Sequence, residues 1–286
     1  MLKFSFVFLF LNSLLFAQNQ RFSYQYHFIS DSTKKENQQS ELMVLEVTPT
    51  FSKFYSEVVF KNDSISKAIY DKEAAATGSF TERSDLHKGL VRYTVIKENP
   101  SQKTFFITRI GQSKLKIEEN RKLDWKILSE KQTIGAFTAQ KATTNFAGRK
   151  WIAWFTTEIP LQEGPYKFHA LPGLIVKIED ETKSHQFELK GIKNLSAEEL
   201  KNINPNKNFV YDFGENVDMD YKKYKTFYLE SRNDPNKSIR LALGDMAAIE
   251  IDGKMMTTSE FLRDREKQMK AKIAQDNNII ELDLLK

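Results

Sequence analysis

The sequence predicts an α+β protein built mainly of antiparallel β-strands, with a few short helices and a C-terminal helix. Apolar and polar residues alternate in many short segments, which is typical of strands with one buried face. Helix start signals are few, and the clearest capping boxes stand at Ser196 and Thr257. The segment from Trp151 to Phe155 is apolar on both faces, so it is either covered on both sides or lines a cavity. Together these patterns favour a curved sheet, shaped as a half-barrel or bowl.

In the N-terminal half, strand patterns are separated by polar loops. The alternation predicts strands at 22–28, 42–47, 91–95, 104–110, 115–118 and 125–128. The segment 51–70 is ambiguous, but the start signal Asp63-Ser64 favours a short helix over 65–70. Small and polar residues at 71–88 indicate a loop.

The centre of the chain carries its most distinctive pattern, a hairpin followed by a connector and a turn. A strand at 139–146 and a tight loop at 147–150 lead into the apolar strand at 151–155. Gly164-Pro165 then breaks the chain. Leu171-Pro172-Gly173-Leu174 has the composition of a type II turn, with proline and glycine at its two central positions. Another strand follows this turn.

The C-terminal part combines strand patterns with two helix signals. A strand that Gly191 ends is followed by a short helix from Ser196 to Pro205. The elements predicted after this helix are a loop at 211–220, a solvated strand at 221–228, β-like residues at 239–251 and a helix from 257 to 274.

Composition places the chain among ordinary globular proteins. Its 286 residues are 40% hydrophobic and 28% charged, and the formal net charge is +5. Basic and acidic residues are interspersed, so the sequence does not indicate a nucleic-acid binder. The absence of cysteine excludes disulfides and thiol chemistry.

The first residues have the pattern of a secretory signal peptide. Residues 1–17 combine Lys3, an apolar core and the small residue Ala17. The apolar run is shorter than the ~20 residues of a usual membrane span, so no transmembrane segment is predicted in the mature chain. We therefore expect an exported protein, periplasmic or secreted, with a β-rich domain at 18–252 and a C-terminal helical tail at 253–286.

The central stretch is dense in glycine, proline and aromatic residues. Its characteristic positions are Gly148, Arg149, Trp151, Ala153, Trp154, Phe155, Thr156, Glu158, Ile159, Pro160, Gly164, Pro165, Tyr166, Phe168, Leu171, Pro172, Gly173, Leu174 and Ile175. This pattern resembles the GLPGLI family of exported Bacteroidota proteins, which has no assigned activity. The family usually has glycine where this chain has Ala170, so a positive φ there would be strained. The resemblance is specific for the family and implies no particular chemistry.

Five aromatic residues around the central turn form the candidate binding site. In a bowl-shaped sheet, an apolar pocket would be lined by Trp151, Trp154, Phe155, Tyr166 and Phe168. The alternative is that these side chains fill the core, as aromatic residues do in most folds. Bowls of this kind occur in periplasmic lipoprotein carriers and in an accessory domain of a bacterial peptide:N-glycosidase, which is an analogy of fold alone.

Signals for catalysis are weaker. The four histidines, at 27, 87, 169 and 185, show no spacing typical of metal ligands. No nucleophile elbow, P-loop or dinucleotide fingerprint is present. The sequence therefore assigns no catalytic residue, no metal and no cofactor.

Three functions remain open at this point. The first is a non-catalytic binding or accessory protein of the cell envelope, whose concave site holds a small apolar or peptide-like ligand or an envelope protein. The second is a hydrolase that uses carboxylates or histidines within 158–185, such as Glu158 and Glu163. The third is a structural or interaction protein that acts through its C-terminal helix, whose polar side is basic. No particular oligomeric state is predicted.

Overall fold

The computed structural model of the chain describes residues 19–79, 88–111, 113–203, 216–251 and 253–286. Within these ranges, twelve strands form one large open sheet in the order β12-β6-β5-β4-β3-β2-β1-β11-β10-β9-β8-β7. Neighbouring strands are antiparallel except β12 and β6. The strands are β1 (Gln20–Phe28), β2 (Gln39–Val47), β3 (Phe51–Ser56), β4 (Thr94–Glu98), β5 (Thr104–Ile110), β6 (Ser113–Glu119), β7 (Lys126–Ile134), β8 (Phe137–Phe146), β9 (Arg149–Thr156), β10 (Leu174–Asp180), β11 (His185–Asn194) and β12 (Val217–Asp220).

Five α-helices and a small hairpin accompany this sheet in the described ranges. They are α1 (Glu57–Thr77), α2 (Ala197–Asn202), α3 (Tyr221–Asn233), α4 (Lys237–Leu243) and α5 (Thr258–Ala274), with the hairpin β13 (Ala248–Ile251) and β14 (Lys254–Thr257) before α5. Both predicted capping boxes are present, at the starts of α2 and α5. The predicted α+β class, mainly antiparallel with a C-terminal helix, is confirmed. The predicted signal peptide at 1–17 and His87 lie outside the described residues.

The sheet is curved so strongly that its two arms approach each other. In a flat sheet, β5 and β8 would lie about 38 Å apart, because they are eight positions apart and strands repeat every ~4.8 Å. Two neighbouring side chains nevertheless bridge them. Tyr166 lies against Phe106 of β5, and Phe168 lies against Phe146 of β8, while the Tyr166 and Phe168 rings are 6.0 Å apart. The predicted bowl is therefore formed, and residues 157–173 lie on its concave face.

The predicted type II turn at Leu171–Leu174 is wrong in detail. The N–H of Gly173 donates to the carbonyl oxygen of Leu171 at 2.7 Å, which defines a γ-turn around Pro172. The N–H of Leu174 donates to the carbonyl of Ile159 at 3.1 Å instead of closing a four-residue turn. The reason is that the chain must enter β10 directly beside the end of β9.

Ala170 adopts the strained conformation that its position in the connector requires. Its φ is +69°, in the left-handed region that disfavours residues with a Cβ. We expect Ala170→Gly to raise the free energy of unfolding by about 1 kcal/mol, measured by urea unfolding. Ala142→Gly is the control, because Ala142 lies in the middle of β8 and its replacement should destabilise. A170G that is neutral or destabilising would contradict this account.

Helix α1 replaces the short helix predicted at 65–70 and extends to Thr77, into the loop predicted at 71–88, of which residues 80–87 lie outside the described ranges. It begins after Ser56, whose hydroxyl accepts a hydrogen bond from the N–H of Val59 at 3.1 Å. This start was missed because valine stands where a capping box has glutamate or glutamine, and because the serine ends a strand pattern. The expected start signal, Asp63-Ser64, lies inside the helix.

The segment 221–228 was predicted as a strand and is the first part of helix α3. Tyr221, Tyr224 and Tyr228 are spaced three and four residues apart, which places them on one face of a helix. Asp220 caps this helix, since its carboxylate accepts from the N–H of Lys223 at 2.8 Å. The tyrosines and lysines of this segment were therefore interpreted with the two-residue period of a strand, whereas they follow the helical period of about 3.6 residues.

Four smaller predictions are also corrected. The β-like segment 239–251 overlaps the end of helix α4, which runs to Leu243, and forms a strand only in β13. Gly191 does not end its strand, because β11 continues to Asn194 with a bulge opposite Ser23 and Tyr24. The strand predicted at 91–95 begins at Thr94. The predicted loop at 211–220 lies partly outside the described residues, and its last four residues form β12.

Candidate functional site

Four of the five aromatic residues predicted to line a pocket pack together in the core. Trp151 and Phe155 lie on β9, and the Phe168 ring centroid is 4.7 Å from that of Trp151. Tyr166 completes this group, and all four side chains are buried. Trp154 lies on the opposite face of β9 and is half-buried. The space beneath the central turn is thus filled by the chain's own side chains, and a ligand-contacting role for these residues stays a prediction.

The residues of the predicted hydrolase site do not form a single cluster. Glu158 is exposed, Glu163 is buried in an ion pair with a lysine of β4, and half-buried His169 binds a backbone carbonyl. Asp180 and His185 do meet, because the N–H of His185 donates to Asp180 Oδ1 at 2.7 Å. Across the part of the chain that the structure describes, no three histidine, aspartate or glutamate side chains converge as metal ligands would.

An aromatic cleft of about 220 Å³ lies beside the filled core. One wall comes from β1, β5 and the segment before β4, and the other from α3 and residues 276–284. Its mouth is formed in part by the exposed residues Leu90 and Arg92. The rings that line it include Tyr26, Phe28, Tyr93, Phe106, Tyr166 and Tyr224. Of the five residues predicted for a pocket, only Tyr166 reaches this cleft.

The cleft walls are held in place by direct ring contacts. The Tyr93 ring centroid lies 5.3 Å from that of Phe106 and 5.2 Å from that of Tyr166. Tyr26 stacks on Phe28 at 4.8 Å. Distances in this range are typical of well-packed aromatic pairs. The cleft is therefore preformed by the fold.

The hydroxyl of Tyr93 is buried in this cleft without a hydrogen-bond partner. The neighbouring tyrosines differ. Tyr24 donates to the carbonyl of Ile175 at 2.7 Å, and Tyr166 donates to Glu281 at 2.6 Å. Burial raises the pKa of Tyr93 well above its usual value, so the hydroxyl keeps its proton. A buried polar group left unpaired costs about 1–3 kcal/mol.

Tyr166 is held in a conformation that a bulky residue rarely adopts. Its φ is +55°, in the left-handed region. Such strain typically costs about 1–3 kcal/mol and is concentrated at functional sites. Here it places the Tyr166 ring in the cleft wall while its hydroxyl reaches Glu281.

His185 and Tyr26 form a neutral hydrogen-bonded pair at the edge of the cleft. His185 Nε2 lies 2.8 Å from the carbonyl oxygen of Asn278, which can only accept, so Nε2 carries the proton. Nδ1 then accepts from the Tyr26 hydroxyl at 2.6 Å. Burial, together with the nearby Arg149 cation, lowers the pKa of His185 from 6.5 to about 4.

This lowered pKa predicts that stability falls on acidification. Below pH 6.5 the unfolded chain binds a proton at residue 185 while the folded chain does not, so the unfolded state gains stability until the pH reaches about 4. We expect His185 to contribute a loss of about 2 kcal/mol between pH 6.5 and 4.5. Urea unfolding across this range measures it. His185→Gln keeps a donor for the Asn278 carbonyl and should lack this part of the slope, whereas an unchanged slope would contradict the assignment.

Some of the residues that line the cleft lie in elements that the sequence predicted correctly. Tyr93 and Phe106 lie within the segments predicted as strands at 91–95 and 104–110, and Tyr26 and Phe28 lie within the strand predicted at 22–28. Tyr224 was missed because its helix was assigned as a strand. Spacings of three and four between the tyrosines of α3 are the signal that would have found it.

The comparisons with known proteins bear on the fold alone. A family model described as "Protein of unknown function (Porph_ging)" matches residues 145–177, from the end of β8 to the middle of β10. No curated protein shows significant similarity to the chain. Among the described residues, every helix is too short or too polar to cross a membrane.

Two solved structures of PNGF-II, in different crystal forms, resemble this fold. The first is 14% identical, has a TM-score of 0.50, and matches over 74% of this chain and 33% of that chain. The second is 16% identical, has a TM-score of 0.48, and matches over 75% of this chain and 34% of that chain. The matched region is thus about a third of PNGF-II. At this identity the likeness of the first shows only that the matched third of PNGF-II has the fold of this chain, and the matched family is one without a known function.

Proposed function

We propose that the protein is a non-catalytic binding module that takes an apolar or peptide-like group into the aromatic cleft. The observation that carries this proposal is the unpaired Tyr93 hydroxyl in a preformed ring of aromatic side chains. This cleft combines mainly aromatic and apolar walls with a few polar groups, which is the usual composition of a ligand site.

The volume of the cleft limits what enters it. At about 220 Å³, it is smaller than the roughly 300–1,000 Å³ typical of sites for drug-sized ligands. A single aromatic ring or a branched aliphatic group therefore fits, with a polar atom directed at Tyr93. The side chain of a peptide, together with its backbone carbonyl, has this chemistry.

Thermal denaturation with three small peptide mimics tests the proposal. N-acetyl-phenylalanine amide and N-acetyl-leucine amide should raise the Tm, because they bind the folded state, and N-acetyl-glycine amide should not. In Tyr93→Phe, the free protein should be about 1 kcal/mol more stable, while the affinity for the active mimic falls about tenfold. Opposite signs for stability and affinity distinguish a ligand contact from a structural hydroxyl.

Tyr24→Phe is the matched control for this experiment. It removes a hydroxyl that is buried but paired with Ile175, and Tyr24 does not line the cleft. We expect this variant to lose about 1–3 kcal/mol of stability with no change in the affinity for the mimics. If no mimic shifts the Tm, or if Y93F binds as tightly as the wild type, the proposed site is wrong.

We further propose that the protein is exported and belongs to the GLPGLI family. The motif from Gly148 to Ile175 supports the family, and the pattern at 1–17 supports export. Cell fractionation of the natural host should recover a shortened chain from the periplasm or the medium. A full-length chain found only in the cytoplasm would overturn this part.

A further inference from the structure

The last residues of the chain are bound to the concave face in the manner of a peptide ligand. Residues 276–286, the C-terminal strap, follow α5 and add no strand to the sheet. They end in a short 3-10 turn at Leu282–Leu285. They are held mainly by side chains of β9, β11 and residues 166–167, and by Arg121, which follows β6. The three buried residues of the strap are spaced three positions apart, at 278, 281 and 284, and half-buried residues between them make further contacts.

Asn278 is the first of these positions. Its side-chain amide donates to the carbonyl of Ile29 at 2.7 Å, and its side-chain oxygen accepts from Arg149 Nη2 at 2.7 Å. Its backbone carbonyl accepts from His185 Nε2 at 2.8 Å. The Asn278 N–H donates to Ser30 at 2.9 Å. The backbone and side-chain polar groups of Asn278 therefore all form hydrogen bonds with the residues around the strap.

Glu281 is the second position. Its carboxylate accepts from the Tyr166 hydroxyl at 2.6 Å, from Lys167 Nζ at 2.6 Å and from Arg121 Nη2 at 2.9 Å. Burial by itself raises the pKa of Glu281, but the Lys167 and Arg121 cations outweigh it and lower the pKa, so the group is charged. Glu119 shares both cations with Glu281.

Leu284 is the third position, and its side chain is buried in the core cluster of the bowl. Asp283 adds a contact beside it, because its carboxylate accepts from Arg121 Nη1 at 2.8 Å. The segment that precedes the strap, from α4 to α5, is loosely packed by comparison, since neither of these helices contains a buried residue. The strap is thus the firmly bound end of a loosely packed segment.

We propose that the concave face contains a peptide-recognition groove whose occupant is the strap, and that this groove also binds the strap sequence when it is supplied as a separate molecule. The recognised pattern is asparagine, glutamate three residues later and leucine three residues after that. Recognition rests on Arg149 for the asparagine and on Arg121 and Lys167 for the glutamate. The inference does not depend on a ligand in the aromatic cleft, although the strap forms one wall of it.

Competition between the resident strap and a free peptide tests this inference in the full-length chain. The peptide of residues 276–286 carries a fluorescent label, and anisotropy reports its binding. In the wild type, the tethered strap competes at a high effective concentration. In Glu281→Gln, the resident strap is weakened, so the peptide should bind at least tenfold more tightly than to the wild type and raise the Tm of the variant. The same peptide with glutamine at the glutamate position should do neither.

Glu266→Gln is the matched control, because Glu266 lies on α5, its side chain is 41% exposed and it pairs with Lys270. It should bind the peptide as weakly as the wild type. A folded E281Q chain that does not bind the peptide overturns the proposal. If E281Q does not fold, a protease site inserted after Gln275 in the otherwise natural chain replaces it. After cleavage, the strap should remain bound in gel filtration and exchange with the labelled peptide, and its loss without rebinding also overturns the proposal.

Discussion

Replacing Gly173 with alanine is expected to lower the free energy of unfolding by about 3–5 kcal/mol. Gly173 has a φ of +158°, which residues with a side chain rarely adopt. A Cβ at this position would lie 2.1 Å from the carbonyl oxygen of Thr156. That oxygen belongs to the backbone at the end of β9, where Thr156 is the register partner of Leu174, so it cannot move without disturbing the β9–β10 pair. Urea unfolding measures the change.

Gly135→Ala separates strain from collision in this prediction. Gly135 also has a positive φ, of +57°, but nothing lies within 4 Å of a Cβ built on it. Its replacement should therefore lower the free energy of unfolding only by the cost of a positive φ for alanine, about 1 kcal/mol. If G173A is no more destabilising than G135A, the contact with Thr156 is not the reason that glycine stands in the central turn.

Elements with a complete local signal could be predicted from the sequence. β5 spans Thr104–Ile110, the same residues that its alternation predicted, and both capping boxes start helices as expected. These signals depend on side chains that contact their own strand or their own helix end. The helix α1 could not be placed in this way, because Ser56 caps it without the partner glutamate that makes a capping box recognisable.

The candidate cleft could not be located from the sequence, because its walls come from distant parts of the chain. Tyr26, Phe106, Tyr166 and Tyr224 meet only after the sheet has curved and α3 and the strap have packed against it. Trp151 and Phe155 of the aromatic strand at 151–155 are buried in the core of the bowl. The connector, however, fills that part of the bowl with Tyr166 and Phe168, and the free volume lies beside it. An unpaired hydroxyl such as that of Tyr93 is a property of the packed structure alone.

Replacing Arg149 with alanine is expected to destabilise the protein by about 3–5 kcal/mol, because it leaves buried groups without their partner. The guanidinium pairs with Asp180 at 3.0 Å, and both side chains are buried. It also donates to the backbone carbonyls of Asn278, Ile279 and Ile280. One residue at the start of β9 therefore fixes both a neighbouring strand and the strap. Lysine carries the charge but lacks the five donors of arginine, so R149K should recover only part of the loss.

Lys150→Ala is the matched control for Arg149→Ala, because the two residues are adjacent and both form ion pairs. Lys150 Nζ lies 2.6 Å from Glu181, but its side chain is 52% exposed and that of Glu181 is 60% exposed. Water already solvates such a pair, so its loss should change the free energy of unfolding by at most about 0.5 kcal/mol. Chemical denaturation of both variants compares them directly. Equal effects at positions 149 and 150 would mean that burial of the arginine, and its hold on the strap, contributes nothing beyond a surface charge pair.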